Sequence, residues 1–430
     1  MTLGKDVIID TITKVEQSIF FRGQTMEQAY DLAFLHEWGG QQEREARAEE
    51  QVLLRHVNEL VREADVVVVR LGGKAGRLGE SVVATALLEG IFQALQYLGK
   101  AGTAVEVIID EGVSTLFKEQ LYQQAYWPWI TFSEVMSGED LFTRRLERGR
   151  GVAVLGIDLH GGHDGMPELM VQAVEEHGAT RRIATLARLF RVGVRSYAGH
   201  GVERRYADFI EDLLQLPRGA LPGEQVQPRI RLGAADDARY TRLARKLHLQ
   251  DEALRVVCFF QSVVIAKCYC RWDEVLEHFS REVARRSPGQ KIEFLILCGP
   301  DQLHPEGLRM ADMQEDFGTF RGTNNNANVL VYATETLRDL ALLTRHTHMV
   351  FSNDTGPGHI AGALQIPTIT SYLPGTIYSM AIWASSPWHR GVTLEPNPFS
   401  YQQVEAAILW DRTTIIDSIP PEKLVQAALQ

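Results

Sequence analysis

Cysteine is scarce in this chain. Four occur in 430 residues, Cys258, Cys268, Cys270 and Cys298. That excludes a small disulfide-stapled scaffold and fits a reducing compartment. Long apolar runs are missing too: no window approaches the roughly 20 residues that a bilayer-spanning helix needs. The first residues alternate charge with short apolar stretches and lack the uninterrupted apolar core of a signal peptide, so a cytoplasmic protein without a transmembrane segment is expected. Positive charge is in deficit, with 44 Lys+Arg against 55 Asp+Glu and a formal net charge of −11. Nucleic-acid binders carry a broad basic footprint, so no nucleic-acid partner is expected. Internal repeats and low-complexity tracts are absent as well. What is present is ordinary for a globular protein, 45% hydrophobic and 23% charged residues. A chain of this length exceeds what one hydrophobic core usually serves, so two domains are expected.

Residues 1–64 read as a helical extension. Thr25 and Gln28 have capping-box spacing ahead of Ala29, Leu32, Ala33 and Leu35, and Leu53, Leu54, Val57, Leu60 and Val61 recur at helical spacing. Such a segment covers a domain flank or joins copies into a homo-oligomer. From Asp65 the pattern changes. Val66 to Val69 is a β-branched run suited to a strand buried on both faces. The Gly-rich loop Leu71–Gly79 follows, then a helix over 80–98 closing at Gly99. Strands are expected at 104–110 and 152–158, the second entering the loop His160–Gly165. Pro217, Gly219, Pro222, Gly223 and Pro228 and a charged stretch suggest an inter-domain crossing over 217–250. A second β/α series then predicts strands at 255–260, 292–298, 328–332, 348–352 and 367–371. Helices are predicted at 272–286, 336–346 and 358–364, with a helical tail from Tyr401. The expected division is an extension at 1–64, domains at 65–245 and 246–400, and a tail at 401–430 packing back on the N-terminal domain. Both domains are α/β, Rossmann-like and doubly wound, and such folds bind ligands at the C-terminal ends of their strands.

The most informative stretch runs from Phe351 to Leu364, Phe-Ser-Asn-Asp-Thr-Gly-Pro-Gly-His-Ile-Ala-Gly-Ala-Leu. An apolar strand ends in small polar residues, and a Gly-rich turn opens a helix. Helix N-termini offer unpaired N–H groups and a positive dipole end, which suits a phosphate. Gly356 and Gly358 permit close backbone approach, Thr355 adds a hydroxyl, and His359 lies in the first turn. The alternative is that Asp354 and Thr355 merely cap the helix.

This stretch resembles the Asp-Ser/Thr-Gly-x-x-His-x-Ala-x-Ala-Leu block of the heptosyltransferase family, glycosyltransferase family 9. Asp354, Thr355, Gly356, His359, Ala361, Ala363 and Leu364 meet its defining positions. Thr336–Leu343 resembles the helix before that block. Leu295–Asp301 resembles its strand ending in Gly-Gly-Pro. Lys267 and Trp272 resemble its Lys-x-Trp region, with four residues between them here in place of one. In the first half Gly79-Glu80 stands where the family has Gly-Asp, and Ile157–Gly161 resembles its Asp-Leu-x-Gly strand end. The resemblance spans about residues 65–400.

The resemblance implies a GT-B fold, two Rossmann-like domains facing a cleft. It implies inverting transfer of a sugar, heptose on family grounds, from a nucleotide-diphosphate sugar to an acceptor hydroxyl. The donor implied is ADP-linked, and no other cofactor is expected. Such a reaction needs a base for the acceptor proton and donors for the departing diphosphate. Glu80 is the candidate base, although the helix dipole alone also favours Glu there. Lys267, Ser262, Asp354, Thr355, Gly356, Gly358 and His359 form the candidate donor set; Lys267 as a solvated surface residue and His359 as a structural histidine are the bland alternatives. Lys74, Arg77, His160, His163, Asp164 and Arg195 form the candidate acceptor set. Arg195 belongs to a segment, 181–205, with seven arginines and one glutamate. That segment suits an anionic acceptor or is a solvated face with surface pairs. The acceptor, a glycan, lipid or protein hydroxyl, is not specified; lipopolysaccharide core is the family default, and would add peripheral contact at the inner membrane. No metal is assigned: His160, His163 and Asp164 lack nearby further ligands, and the cysteine spacing is no finger pattern. Relatives that glycosylate autotransporter proteins carry a cysteine metal site, with its cysteines placed differently. Two other readings of the same residues are a non-catalytic nucleotide-sugar sensor and a GT-B-fold sugar-nucleotide epimerase.

Overall fold

The computed structural model describes residues 62, 66–71, 78–125, 130–135, 154–158, 181–184, 202–214, 216–262, 264–299, 310–374, 383, 386–395, 398–399, 401–410 and 412–430. The helical extension expected at 1–64, with its proposed role in oligomer formation, lies almost wholly outside the described residues. The chain divides into two compact units between Arg231 and Leu232.

The first unit contains β1 (Val66–Leu71), α1 (Leu78–Tyr97), β2 (Ala104–Asp110), α2 (Glu111–Ser114), α3 (Glu119–Ala125), β3 (Ile130–Val135), β4 (Val154–Asp158), β5 (Arg181–Ala184) and α4 (Val202–Leu213). Among the described residues its five strands are all parallel, in the order β3-β2-β1-β4-β5. Val67 and Val69 of the central strand are fully buried, as a parallel strand covered on both faces requires. α1 is buried from Ser81 to Leu95. It closes where expected: Gly99 has φ +70°, and the Gly99 and Lys100 N–H groups donate to the Gln96 and Leu95 carbonyls at 3.0 and 2.8 Å, a Schellman closure.

The Pro- and Gly-rich segment after α4 is not a free crossing. The buried Glu211 carboxylate accepts from Gly219 N, Leu221 N and Arg204, all at 2.8–3.0 Å. Gln93 of α1 donates to Gln225 at 2.9 Å, Thr85 accepts from Arg229 N at 2.8 Å, and fully buried Glu89 pairs with Arg231 at 2.9 Å. These bonds hold residues 217–231 to α1 and α4. The charged stretch beyond them forms a helix, α5 (Ala234–Lys246), and belongs to the second unit. The two compact units divide at 231/232, ahead of α5, whereas the sequence reading set the limit at 245/246.

The second unit continues with β6 (Leu254–Phe259), a 3-10 turn (Ile265–Lys267), α6 (Trp272–Arg286), β7 (Ile292–Cys298), α7 (Met310–Phe317), β8 (Ala327–Ala333), α8 (Leu337–Arg345), β9 (Met349–Asn353), α9 (Gly356–Ala363), β10 (Thr368–Ser371), β11 (His389–Val392), α10 (Tyr401–Leu409) and α11 (Pro421–Leu429). Among the described residues its six strands are parallel in the order β8-β7-β6-β9-β10-β11, the doubly wound arrangement of a dinucleotide-binding sheet. α5 is bound to α8 by buried charge. Arg338, 1% exposed, donates from Nε to Asp236 at 2.7 Å, and Arg239 holds Asp339. Thr336 caps α8, its hydroxyl accepting from Asp339 N at 3.1 Å. Thr336→Ala should lower stability by about 1 kcal/mol, and Thr336→Ser should not; equal melting of the two variants would show that the hydroxyl does not stabilise the start of α8.

The tail lies on this same unit. α11 packs on α6, β10 and β11, burying Leu424 and Val425, and the Tyr269 hydroxyl donates to the Ile419 carbonyl at 2.8 Å. Among the described residues no helix is long and apolar enough to cross a membrane.

Candidate functional site

In the second sheet the order reverses between β6 and β9. Connections leave these two strands in opposite directions, so a crevice opens at their C-terminal ends. The candidate donor residues follow these two strands: Ser262 and Lys267 after β6, Asp354 to His359 after β9. The same holds in the first sheet, whose reversal lies between β1 and β4. Lys74, Arg77 and Glu80 follow β1, and His160, His163 and Asp164 follow β4.

The Lys267 ammonium meets the Asp354 carboxylate at 2.7 Å, with side chains 24% and 4% exposed. Lys267 is thus no solvated surface residue. Asp354 spends its carboxylate on this cation, and Thr355, at the N-cap in extended conformation, makes no side-chain capping bond. Neither residue acts as a plain helix cap. Thr355, Gly356, Pro357 and His359 are half-buried at the start of α9, where N–H groups and the positive dipole end gather. Gly358 faces inward: a Cβ there would lie 2.8 Å from the Ser352 Oγ. Its missing side chain lets α9 approach β9. Ser262 shapes the turn, its hydroxyl accepting from Val264 N at 3.3 Å.

Asn353 ties these parts together. Fully buried, it donates from Nδ2 to the Phe260 carbonyl at 2.7 Å. Its Oδ1 accepts from Tyr269 N, Trp272 Nε1 and Ser371 Oγ at 3.2, 3.1 and 2.9 Å. One amide therefore joins the ends of β6, β9 and β10 to the Lys267 loop. Trp272 stacks on Phe260 with ring centroids 4.6 Å apart. The four residues between Lys267 and Trp272 also have anchors. Tyr269 reaches Ile419, and Cys270 N donates to Asp417 Oδ1 at 2.7 Å.

His359 accepts at Nδ1 from the Trp383 indole N–H at 3.1 Å. Beyond the indole lies buried His389, its Nε2 3.3 Å from the Tyr372 hydroxyl and 3.2 Å from the Thr370 hydroxyl. Burial, with a smaller contribution from His359, pushes the His389 imidazole down to about 3, so it is neutral at any working pH. Sequence reading missed Asn353, Trp383 and His389. A polar residue ending an apolar strand was a signal for Asn353; Trp383, 24 residues from its partner, gave none.

All four cysteines are free thiols. Cys258 and Cys298 sit in β6 and β7, and burial pushes the Cys298 thiol up to about 12 and the Cys268 thiol up to about 11. Among the described residues no group of three or more His, Cys, Asp or Glu could hold a metal ion. Lys74, Arg77, His160, His163, Asp164 and Arg195 lie outside the described residues, and Glu80 is described only as part of the α1 backbone. One arginine of the basic segment is committed internally: Arg204 binds Asp208 and Glu211 at 2.7 and 2.9 Å.

The family model for glycosyltransferase family 9 (heptosyltransferase) matches residues 176–403. No curated protein matches the chain in a sequence comparison. Among solved structures, the chain is similar to a family 9 glycosyl transferase from Veillonella parvula DSM 2008. Identity is 16%, the alignment covers 85% of this chain and 96% of that one, and the TM-score is 0.55. It is also similar to the E. coli ADP-heptose lps heptosyltransferase II, at 12% identity, 85% and 97% coverage and a TM-score of 0.49. A third is E. coli heptosyltransferase WaaC with ADP-2-deoxy-2-fluoro heptose, at 16% identity, 80% and 99% coverage and a TM-score of 0.43. Two doubly wound parallel units, the Asp354–His359 block at the second unit's switch point and a family match over more than half its length lead to one conclusion: the chain belongs to glycosyltransferase family 9, the heptosyltransferase family, and is a glycosyltransferase of the GT-B class.

Proposed function

We propose that the protein transfers heptose, with inversion, from ADP-heptose to an acceptor hydroxyl. The observation that carries this reading is the Lys267–Asp354 pair at 2.7 Å beside a helix N-terminus whose N-cap hydroxyl makes no capping bond. Asp354 holds the lysine ammonium at 2.7 Å, next to the start of α9. The diphosphate then meets the ammonium, the Thr355 hydroxyl and the first N–H groups of α9. The acceptor oxygen attacks the anomeric carbon as the bond to the ADP oxygen breaks; the acceptor proton passes to Glu80, and the negative charge gathering on ADP is met by Lys267. Lys74, Arg77, His160, His163, Asp164 and Arg195 receive the acceptor. The family description favours heptose as the sugar, and a lipopolysaccharide-core acceptor would place the reaction in the cytoplasm beside the inner membrane.

The test is titration with ADP and ADP-heptose, followed by transfer to an acceptor panel. Lys267→Met should lower kcat/KM by about 10–100-fold, the equivalent of one charge-assisted hydrogen bond. Failure of the wild-type chain to bind either ligand, with no transfer from any nucleotide sugar, would sink the reading. Binding without product on any acceptor would indicate a sensor, and isomerised donor without acceptor an epimerase.

A further inference from the structure

Trp383 is 3% exposed and its indole lies across α9 at His359 and Gly362. Residues three apart share a helix face. A Cβ on Gly362 would fall 2.5 Å from the indole Cζ2 and 2.6 Å from Cε2, so the missing side chain at 362 is what seats the ring. The family block leaves that position open. An indole N–H only donates, and here it donates to His359 Nδ1. An imidazole nitrogen that accepts carries no proton, so the proton of the neutral ring sits on Nε2. A proton on Nδ1 would set two donors against each other.

We propose that Trp383 is a positioning residue for the donor site: it locks His359 as the neutral Nε2–H tautomer, so that the histidine offers the nucleotide sugar an N–H donor and does not act as a base. This rests on the donor-site reading above and deepens it, because it leaves proton abstraction to a group outside the second unit's block. Among the described residues, the titratable groups on elements packed against α9 have these partners and places. Asp354 is paired with Lys267. Tyr372 and His389 are buried and share hydroxyl contacts. Arg338 and Asp339 of α8 are paired with Asp236 and Arg239, and Arg345 ends that helix.

The experiment is NMR of the full-length chain with 15N-labelled histidine, the His359 signals identified by their loss in His359→Gln. In the wild type at neutral pH, Nε2 should carry the proton and Nδ1 none. Trp383→Phe should move the His359 titration up by roughly half a pH unit or more, the effect of one lost hydrogen bond. It should also raise the donor KM about threefold or more, with kcat less affected. Gly362→Ala keeps the indole chemistry but blocks its seat, and should move the titration in the same direction. Wild-type His359 protonated at Nδ1 overturns the proposal without any variant needing to fold. So does an unchanged titration in a folded Trp383→Phe protein. A wild type that shows the stated tautomer but binds no ADP overturns the donor-site reading, and His359's role toward the donor with it, while the Trp383–His359 lock stands.

Discussion

Asn353→Ala is expected to cost the second unit about 3–5 kcal/mol of stability and to weaken donor binding at temperatures where the protein is still folded. The side chain is fully buried and makes four hydrogen bonds. Its removal strands the Phe260 carbonyl, the Trp272 indole N–H, the Tyr269 N–H and the Ser371 hydroxyl, and each buried unpaired group costs about 1–3 kcal/mol before relaxation. Totals beyond about 4 kcal/mol are unusual for one residue and mark a broken buried network. Asn353→Asp should fare no better: it keeps an acceptor for Trp272 and Ser371 but turns an oxygen on the Phe260 carbonyl and buries a charge. Hydrogen exchange of the β9 amides in urea reads the second unit alone. A loss below about 1 kcal/mol would show that the strand ends hold together without this amide.

Glu80→Gln is expected to lower kcat by roughly 10²–10⁴-fold, the usual contribution of a positioned base, with donor affinity unchanged within about twofold. The residue stands in the first turn of α1, after β1, at the reversal point of the first sheet. Glutamine keeps its size and hydrogen-bonding reach and cannot take a proton. Because the donor block belongs entirely to the second unit, binding and turnover should separate cleanly in this variant. Unchanged turnover would remove Glu80 from the base role.

The second unit was largely legible in the sequence. The helix predicted at 272–286 is Trp272–Arg286, and the strand at 292–298 is Ile292–Cys298. Strands buried on both faces read as apolar runs, and helices with one buried face read as periodic ones. Shorter strands such as Arg181–Ala184 and His389–Val392 gave no such run. The division at 231/232 falls inside the crossing expected at 217–250, but composition reports turns and not their anchors, here Glu211, Gln93 and Glu89, which act from a distance in sequence. The candidate site shows the same division. Asp354 to His359 is one contiguous stretch whose chemistry is local, so spacing reveals it. The Lys267 contact, the Asn353 hub and the Trp383 bond join residues that only the folded sheet brings together. The N-terminal extension and the acceptor residues fall outside the described residues.

The anchoring of the Lys267 loop to the tail bears on how the protein is made. Tyr269 and the carbonyl that receives its hydroxyl are 150 positions apart. A ribosome adds roughly 5–20 residues per second, so about 8–30 s pass between synthesis of the loop and synthesis of its anchor. By the end of that interval the nascent sheet has its central strands and the Lys267–Asp354 pair, but not the bond from the Tyr269 hydroxyl to the tail. A chain released early, short of Ile419, would carry Lys267, Asp354 and Asn353 with their mutual bonds and still lack one of the anchors of the Lys267 loop, the tail carbonyl that receives the Tyr269 hydroxyl.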